Sequence, residues 1–166
     1  MKQIKIKNHP LYALVDDKNF SYLSKFIWWL DKHPREVYYA WTWLGNNHIY
    51  MHELVLPLSD KKLTVDHKNN NGLDNQEINL RPATRNQQNQ NIRKQIRINP
   101  GKTASQYKGV AFREKTQKWE SNICVNEKRI YLGSFKTEKR AAVVYNEAAI
   151  KHFGEFAALN IIGVIQ

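Results

Sequence analysis

Over the first fifty positions apolar and polar residues alternate in short runs. IKIK, YALV, VYYAWTW and HIYMHELVL are rich in aromatic and β-branched residues and are divided by Asp, Asn, Pro and Gly, a pattern that predicts short strands. SYLSKFIWWL predicts a short helical turn, and its Trp28 and Trp29, with Trp41 and Trp43, suit core packing better than base stacking. From Thr64 the order is a short strand (TVDH), a long polar loop, a second short strand (NLRPA) and a helix from Thr84 to about Arg93. The Gln/Asn-rich, basic segment that follows reaches Pro100 and Gly101 and reads as helix passing into linker.

After Gln106 a second unit begins. YKGVAFRE, KWESNICV and KRIYLGSF are three runs at hairpin spacing in an antiparallel sheet, and TEKRAAVVYNEAAIKHFG is a helix. Thr137 is its expected N-cap, Ala141, Val144, Tyr145 and Ala148 its apolar stripe, and Gly154 its stop. Alternation turns Trp119, Ser121, Ile123, Val125, Val110, Phe112, Ile130 and Leu132 toward the helix. It turns Lys118, Glu120, Asn122, Cys124, Ala111, Arg113, Arg129 and Tyr131 outward. One helix covers one face, so the outer face stays open: either a solvated surface or a sheet that enters a DNA groove.

Composition narrows the partner. The 166 residues carry 26 basic and 15 acidic side chains, a formal charge of +11 that favours a polyanion, and no cationic amphipathic helix points to a membrane. The charge is spread along the chain, so every part of it can meet phosphate. A single cysteine, Cys124, excludes an intrachain disulfide and a CxxC zinc knuckle and suits a reducing compartment. The N-terminus lacks the apolar core of a signal peptide and no run approaches a membrane span, so a cytoplasmic protein, with no membrane partner, is expected.

The central stretch VDHKNNNGLDNQEINLR is the chemical candidate. Hydrolysis of a phosphodiester needs a general base and a cation to stabilise developing charge. His67 can act as base near neutral pH, while Asp66, pointing to the other side of the strand, can hold a hard cation such as Mg²⁺. The plain alternative is a polar loop with a turn or core histidine and a capping Asn79. Asn69, Asn70 and Asn71 read as flexible loop, and Asp74 and Asn75 as a turn that shapes it.

Two resemblances sharpen this. YKGV…KW…RIYLGSF…AA..Y..AA…FG…A.LN, over about 105 to 160, resembles the Apetala-two (ethylene-response-factor) DNA-binding domain. That resemblance implies a three-stranded sheet on one helix, reading the major groove through positions that match Lys108, Gly109, Ala111, Arg113, Asn122, Cys124, Arg129 and Tyr131, and alternation adds Lys118 to the same open face. Ala111, Asn122 and Cys124 depart from the plant pattern.

MHELVL, VDHKNNNGLDNQEINLR and TRNQQNQN resemble the HNH endonucleases of phage and intron-associated homing elements. The resemblance implies a ββα-metal finger with Asp66 as metal ligand, His67 as general base and Asn79 bracing the loop. His52 matches a His of the preceding motif. The helical ligand falls on Gln88 where the family usually has Asn or His; Asn89 and Asn91 lie nearby.

The expected architecture is α+β. A β-rich N-terminal region leads into a nuclease domain over 1–95, with its finger at about 50–93, then a linker at 96–105 and the DNA-binding domain at 106–166. The expected activity is site-directed cleavage of double-stranded DNA, of one strand or both, with one Mg²⁺ or Mn²⁺ ion. The protein is expected to act as a monomer in a bacterial or phage-infected cell. Arg93, Lys94, Arg97 and Lys102 are expected to follow the DNA between domains, or to form a solvated tether. The alternatives are a DNA-binding regulator that keeps the finger as scaffold, and an RNA-binding structural protein.

Overall fold

The computed structural model describes residues 1–33, 37–94 and 104–163, and these fall into two compact units, Met1–Gln88 and Asn89–Gln166. The class is α+β, with four small antiparallel sheets. The expected linker lies mostly outside the described residues, as do Arg97 and Lys102.

In the first unit β1 (Lys2–Lys5) pairs with β2 (Tyr12–Val15), and α1 (Asp17–Leu23) follows. The helix thus starts before the expected turn, and IWWL is not helical. Trp28 bridges to Ile6, and its indole Nε1 donates to the Leu23 carbonyl at 2.8 Å. Burial of this one ring draws the chain out of α1 and into β3 (Trp29–His33). β3 pairs with β4 (Val37–Leu44), which pairs with β5 (Asn47–Tyr50).

The run HIYMHELVL also departs from its expected strand, because it splits into β5 and a short α2 (Met51–Val55). Glu53 causes the switch by accepting a hydrogen bond from the Tyr50 amide at 2.8 Å, which satisfies a donor at the helix start. Beneath the sheet, Ile4, Ile6, Val15, Leu23, Trp28, Ala40, Met51 and Leu73 form one buried core.

β6 (Thr64–His67) and β7 (Leu80–Ala83) form a two-stranded ladder, followed by α3 (Arg85–Asn91). Thr84 and Gln87 start the helix reciprocally: Gln87 N donates to Thr84 Oγ1, and the Thr84 amide and hydroxyl donate to Gln87 Oε1.

The asparagine-rich connection is folded rather than flexible. Asn69 and Asn71 side chains accept from the amides of Asn71 and Leu73, Asn75 is fully buried, and Gly72 packs so closely on Tyr38 and Tyr39 that a Cβ would collide with both. Leu14 of β2 brackets the loop, donating to the Leu73 carbonyl and accepting from the Asn75 amide, both at 2.8 Å.

In the second unit β8 (Val110–Arg113), β9 (Lys118–Val125) and β10 (Lys128–Phe135) form a sheet with β9 in the centre, and α4 (Glu138–Phe153) lies on one face. Thr137 caps α4, with Arg140 N donating to its hydroxyl, and Gly154 follows the helix at φ 54°. The buried line is Ala141, Ala142, Tyr145, Ala149 and Phe153, so Val144 and Ala148 stand at its margin. Ile130, expected inward, is 37% exposed, because α4 packs mainly on β9 and β10 is an edge. Gly109, at φ 76°, lies against the Tyr145 ring with no room for a side chain. Among the described residues no helix is long and apolar enough to cross a membrane.

Candidate active site and nucleic-acid interface

The β6–β7 register sets Asp66 opposite Arg81 and His67 opposite Leu80. His67 is buried among rings, 5.7 Å from Tyr39 and 5.1 Å from His52 between centroids. Its Nε2 is 3.3 Å from Asn75 Oδ1. With the Asn75 amide oxygen as acceptor, Nε2 is the donor in this contact. Burial pushes the His67 imidazole below its usual range, against the upward pull of the Asn75 hydrogen bond and of the Asp66 and Asp74 charges. The ring is therefore neutral at pH 7, the state a general base requires.

His52 stacks on Tyr50 at 5.3 Å, and its Nδ1 is buried with no hydrogen-bond partner among the described residues. Burial, reinforced by His67, takes it down to about 3. Tyr39 is pushed up by burial and by the Asp66 carboxylate.

Asp66 is not an open carboxylate. Arg81 Nε and Nη2 lie 2.9 and 2.8 Å from its Oδ2, with both side chains buried. Asn79 closes the loop between the strands: its Nδ2 donates to the Asp74 carbonyl at 2.8 Å, and its Oδ1 accepts from the Asn69 amide at 3.1 Å. On α3, Gln88 Nε2 donates to the Val65 carbonyl at 3.0 Å, which aims its amide nitrogen at β6; Asn89 is exposed.

Among the described residues no three His, Cys, Asp or Glu side chains stand together as a metal cage. A hard cation such as Mg²⁺ commonly keeps several waters and takes one or two carboxylates plus substrate phosphate. Asp66 and Gln88 carry oxygen donors of the kind such an ion takes, but Asp66 Oδ2 is engaged by Arg81 and the Gln88 amide is turned to the Val65 carbonyl.

On the outer face of the C-terminal sheet the register places Tyr131 beside Asn122 and Arg129 beside Cys124. Tyr131 is 58% exposed and Arg129 and Lys118 are exposed, while Arg113 is held by Glu120 at 2.8 Å. Asn122 Nδ2 is buried without a hydrogen-bond partner among the described residues. Lys108 differs from the outward contact expected of it. Its Nζ donates to the carbonyls of Gln90 and Ile92 at 2.8 and 2.7 Å, and burial takes the amine down to about 8. Lys94 Nζ likewise donates to the Tyr107 carbonyl, whereas Arg93 is exposed.

Three residues join the site: Arg81 and Tyr39, which the sequence did not single out, and Asn75, which it gave only as a turn residue. Arg81 had a signal, being the only basic residue in the two strands that flank the loop, but its pairing with Asp66 depends on a register the sequence does not print.

An uncharacterized HNH endonuclease of Acanthamoeba polyphaga mimivirus is 30% identical over 152 residues, covering 90% of this chain and 74% of the viral protein. APETALA2-like protein 2 of Oryza sativa is 44% identical over 69 residues, and an AP2-like ethylene-responsive transcription factor of Arabidopsis thaliana 42% over 69. These matches cover 42% of this chain but only 16% and 14% of the plant proteins. No family model matches, and no solved structure does. The viral match spans most of both chains, and the motifs of its family carry the buried Asp66, His67 and Asn79: the chain belongs to the HNH endonuclease family and carries an APETALA2-like segment.

Proposed function

We propose that the chain is a metal-dependent, site-directed DNA endonuclease of the homing type, in which β6, β7 and α3 form the ββα finger and the C-terminal sheet anchors it on duplex DNA. The observation that carries this reading is the buried His67, whose Nε2 lies 3.3 Å from Asn75 Oδ1 on a loop braced by Asn79. The His67 imidazole takes the proton of the attacking water, and burial favours its uncharged form. Asn79 is a positioning residue, because its side chain acts on the backbone of the loop that carries Asn75. A bound Mg²⁺ or Mn²⁺ would supply charge stabilisation for the phosphate and the departing oxygen. Asp66 and Gln88 would hold it.

The test is nicking of supercoiled plasmid in Mg²⁺. Cleavage lost with chelator and with His67→Ala, while DNA binding persists, supports the nuclease. A second reading, a DNA-binding regulator with the finger as scaffold, draws on the ion pair that already occupies Asp66. Binding to cognate DNA without cleavage in any divalent metal supports that one.

A further inference from the structure

The three-stranded sheet of the first unit has one face in the core and another that the core does not use. Alternation and register put Trp29, Trp41 and Tyr50 in one cross-strand row, and Trp43 beside His48 in the next, all on the same face. The opposite face sends Leu30, Tyr38 and Ala40 into the apolar core.

From the unused face a chain of rings continues through His52 of α2 to the buried His67 of β6. Trp43 meets His48 at 6.0 Å, His48 meets Tyr50 at 4.9 Å, Tyr50 stacks on His52 at 5.3 Å, and His52 meets His67 at 5.1 Å. It therefore runs from the hairpin tip, where Trp43 is 56% exposed, to the proposed general base. Ring stacking within a protein explains the inner members, but not an indole left in water at the far end.

The chemistry around the ladder is that of a nucleic-acid strand. Lys7 Nζ stands 4.5 Å over the Trp29 ring. Beside Tyr50 and His52 opens a cleft of about 690 Å³ that Lys61 and Arg85 also line, both exposed and with no ion-pair partner among the described residues. Flat rings take bases without regard to sequence, and cations beside them take phosphates. A paired duplex hides its base faces, so only an unpaired strand can use this surface.

We propose that this face binds a short unpaired stretch of DNA, bases stacked on Trp43, His48 and Tyr50, next to the site of cleavage. The partner class rests on the DNA-directed reading above, but the binding does not require that cleavage occur.

The test is affinity of the whole chain for oligothymidylate, by fluorescence anisotropy in elevated salt, for wild type, Trp43→Ala, Trp43→Leu and Trp43→Tyr. Base–aromatic stacking carries much of the affinity for an unpaired strand, so binding should weaken about tenfold in the Ala and Leu variants and recover in the Tyr variant, with duplex affinity unchanged. Trp43 is exposed, so none of these changes removes core packing. Equal affinity in all four proteins overturns the proposal. So does a wild-type dimer in sedimentation that Trp43→Ala converts to monomer, since the face is then a contact between copies. Plasmid nicking without oligothymidylate binding defeats this inference and leaves the nuclease reading intact; the reverse result does the opposite.

Discussion

Arg81 and Asp66 face each other across the β6–β7 ladder, and two guanidinium nitrogens converge on one carboxylate oxygen at 2.9 and 2.8 Å. A buried pair of this kind contributes little net stability compared with an apolar replacement, but breaking it strands a charge. Asp66→Ala should therefore destabilise the protein by about 3–5 kcal/mol, and the double change Asp66→Ala, Arg81→Met should restore most of that loss. Urea unfolding of the four proteins of the cycle measures it. Additive effects would show that the two side chains are energetically independent.

The same pair sets a condition on the proposed metal site. Arg81→Met should tighten Mn²⁺ binding, followed by paramagnetic resonance of the free ion, because the competing cation is gone. Weaker binding in the variant would mean that Arg81 supports the site rather than occupying it.

Buried His67 and half-buried His52 make stability depend on mild acid. His52 titrates at about 3 in the folded chain against 6.5 as its ordinary value, so the unfolded chain takes up the proton first. Its contribution is complete above pH 6.5 and is lost as pH falls toward 3. The loss should reach at most about 1.4 kcal/mol per pH unit. Denaturant midpoints between pH 6.5 and 5, before most carboxylates protonate, should fall more steeply in wild type than in His52→Gln. Parallel slopes would mean that His52 is charged when folded.

For the nicking reaction, the depressed His67 pKa predicts a rate that holds level below pH 6.5 before its acid limb appears. An acid limb centred above 6.5 would point to a different base.

Arg129 and Lys108 should separate binding from folding. Neutralising about eight phosphates gives a slope of log affinity against log salt near −7. Arg129→Ala should make that slope shallower by about 1 with the melting temperature unchanged. Lys108→Met should do the reverse. It leaves two carbonyls without their donor, at a cost of about 2 kcal/mol, and should leave the salt slope as it was. Calorimetry and salt titration together distinguish the two residues.

The C-terminal unit was the more legible part of the chain. Its alternation gives the side of each strand that faces α4 as far as the register shift between Tyr131 and Gly133, and Ile130 is left exposed on an edge strand the helix does not fully cover. Asp66, His67 and Asn79 were singled out by the motif resemblance, and they lie on β6 and just before β7. The partners that define their chemistry were not. Arg81 and Asn75 reach them through strand register and loop closure, and Lys108 is turned from DNA by two carbonyls near the end of α3. Those are tertiary facts, and no local pattern encodes them. The split of HIYMHELVL rests on one Glu53 hydrogen bond that competes with strand propensity.

Leu14 grips the asparagine loop on both sides, and Asp16 accepts from the Glu77 amide while Lys18 pairs with Glu77 at its other end. The N-terminal hairpin and α1 are thus stitched to the loop that orients His67. Grafting the Asp66–Asn91 motif onto another leader would transfer its letters without its geometry. For recombination, natural or engineered, the smallest piece that carries the site intact begins at the first hairpin rather than at the motif.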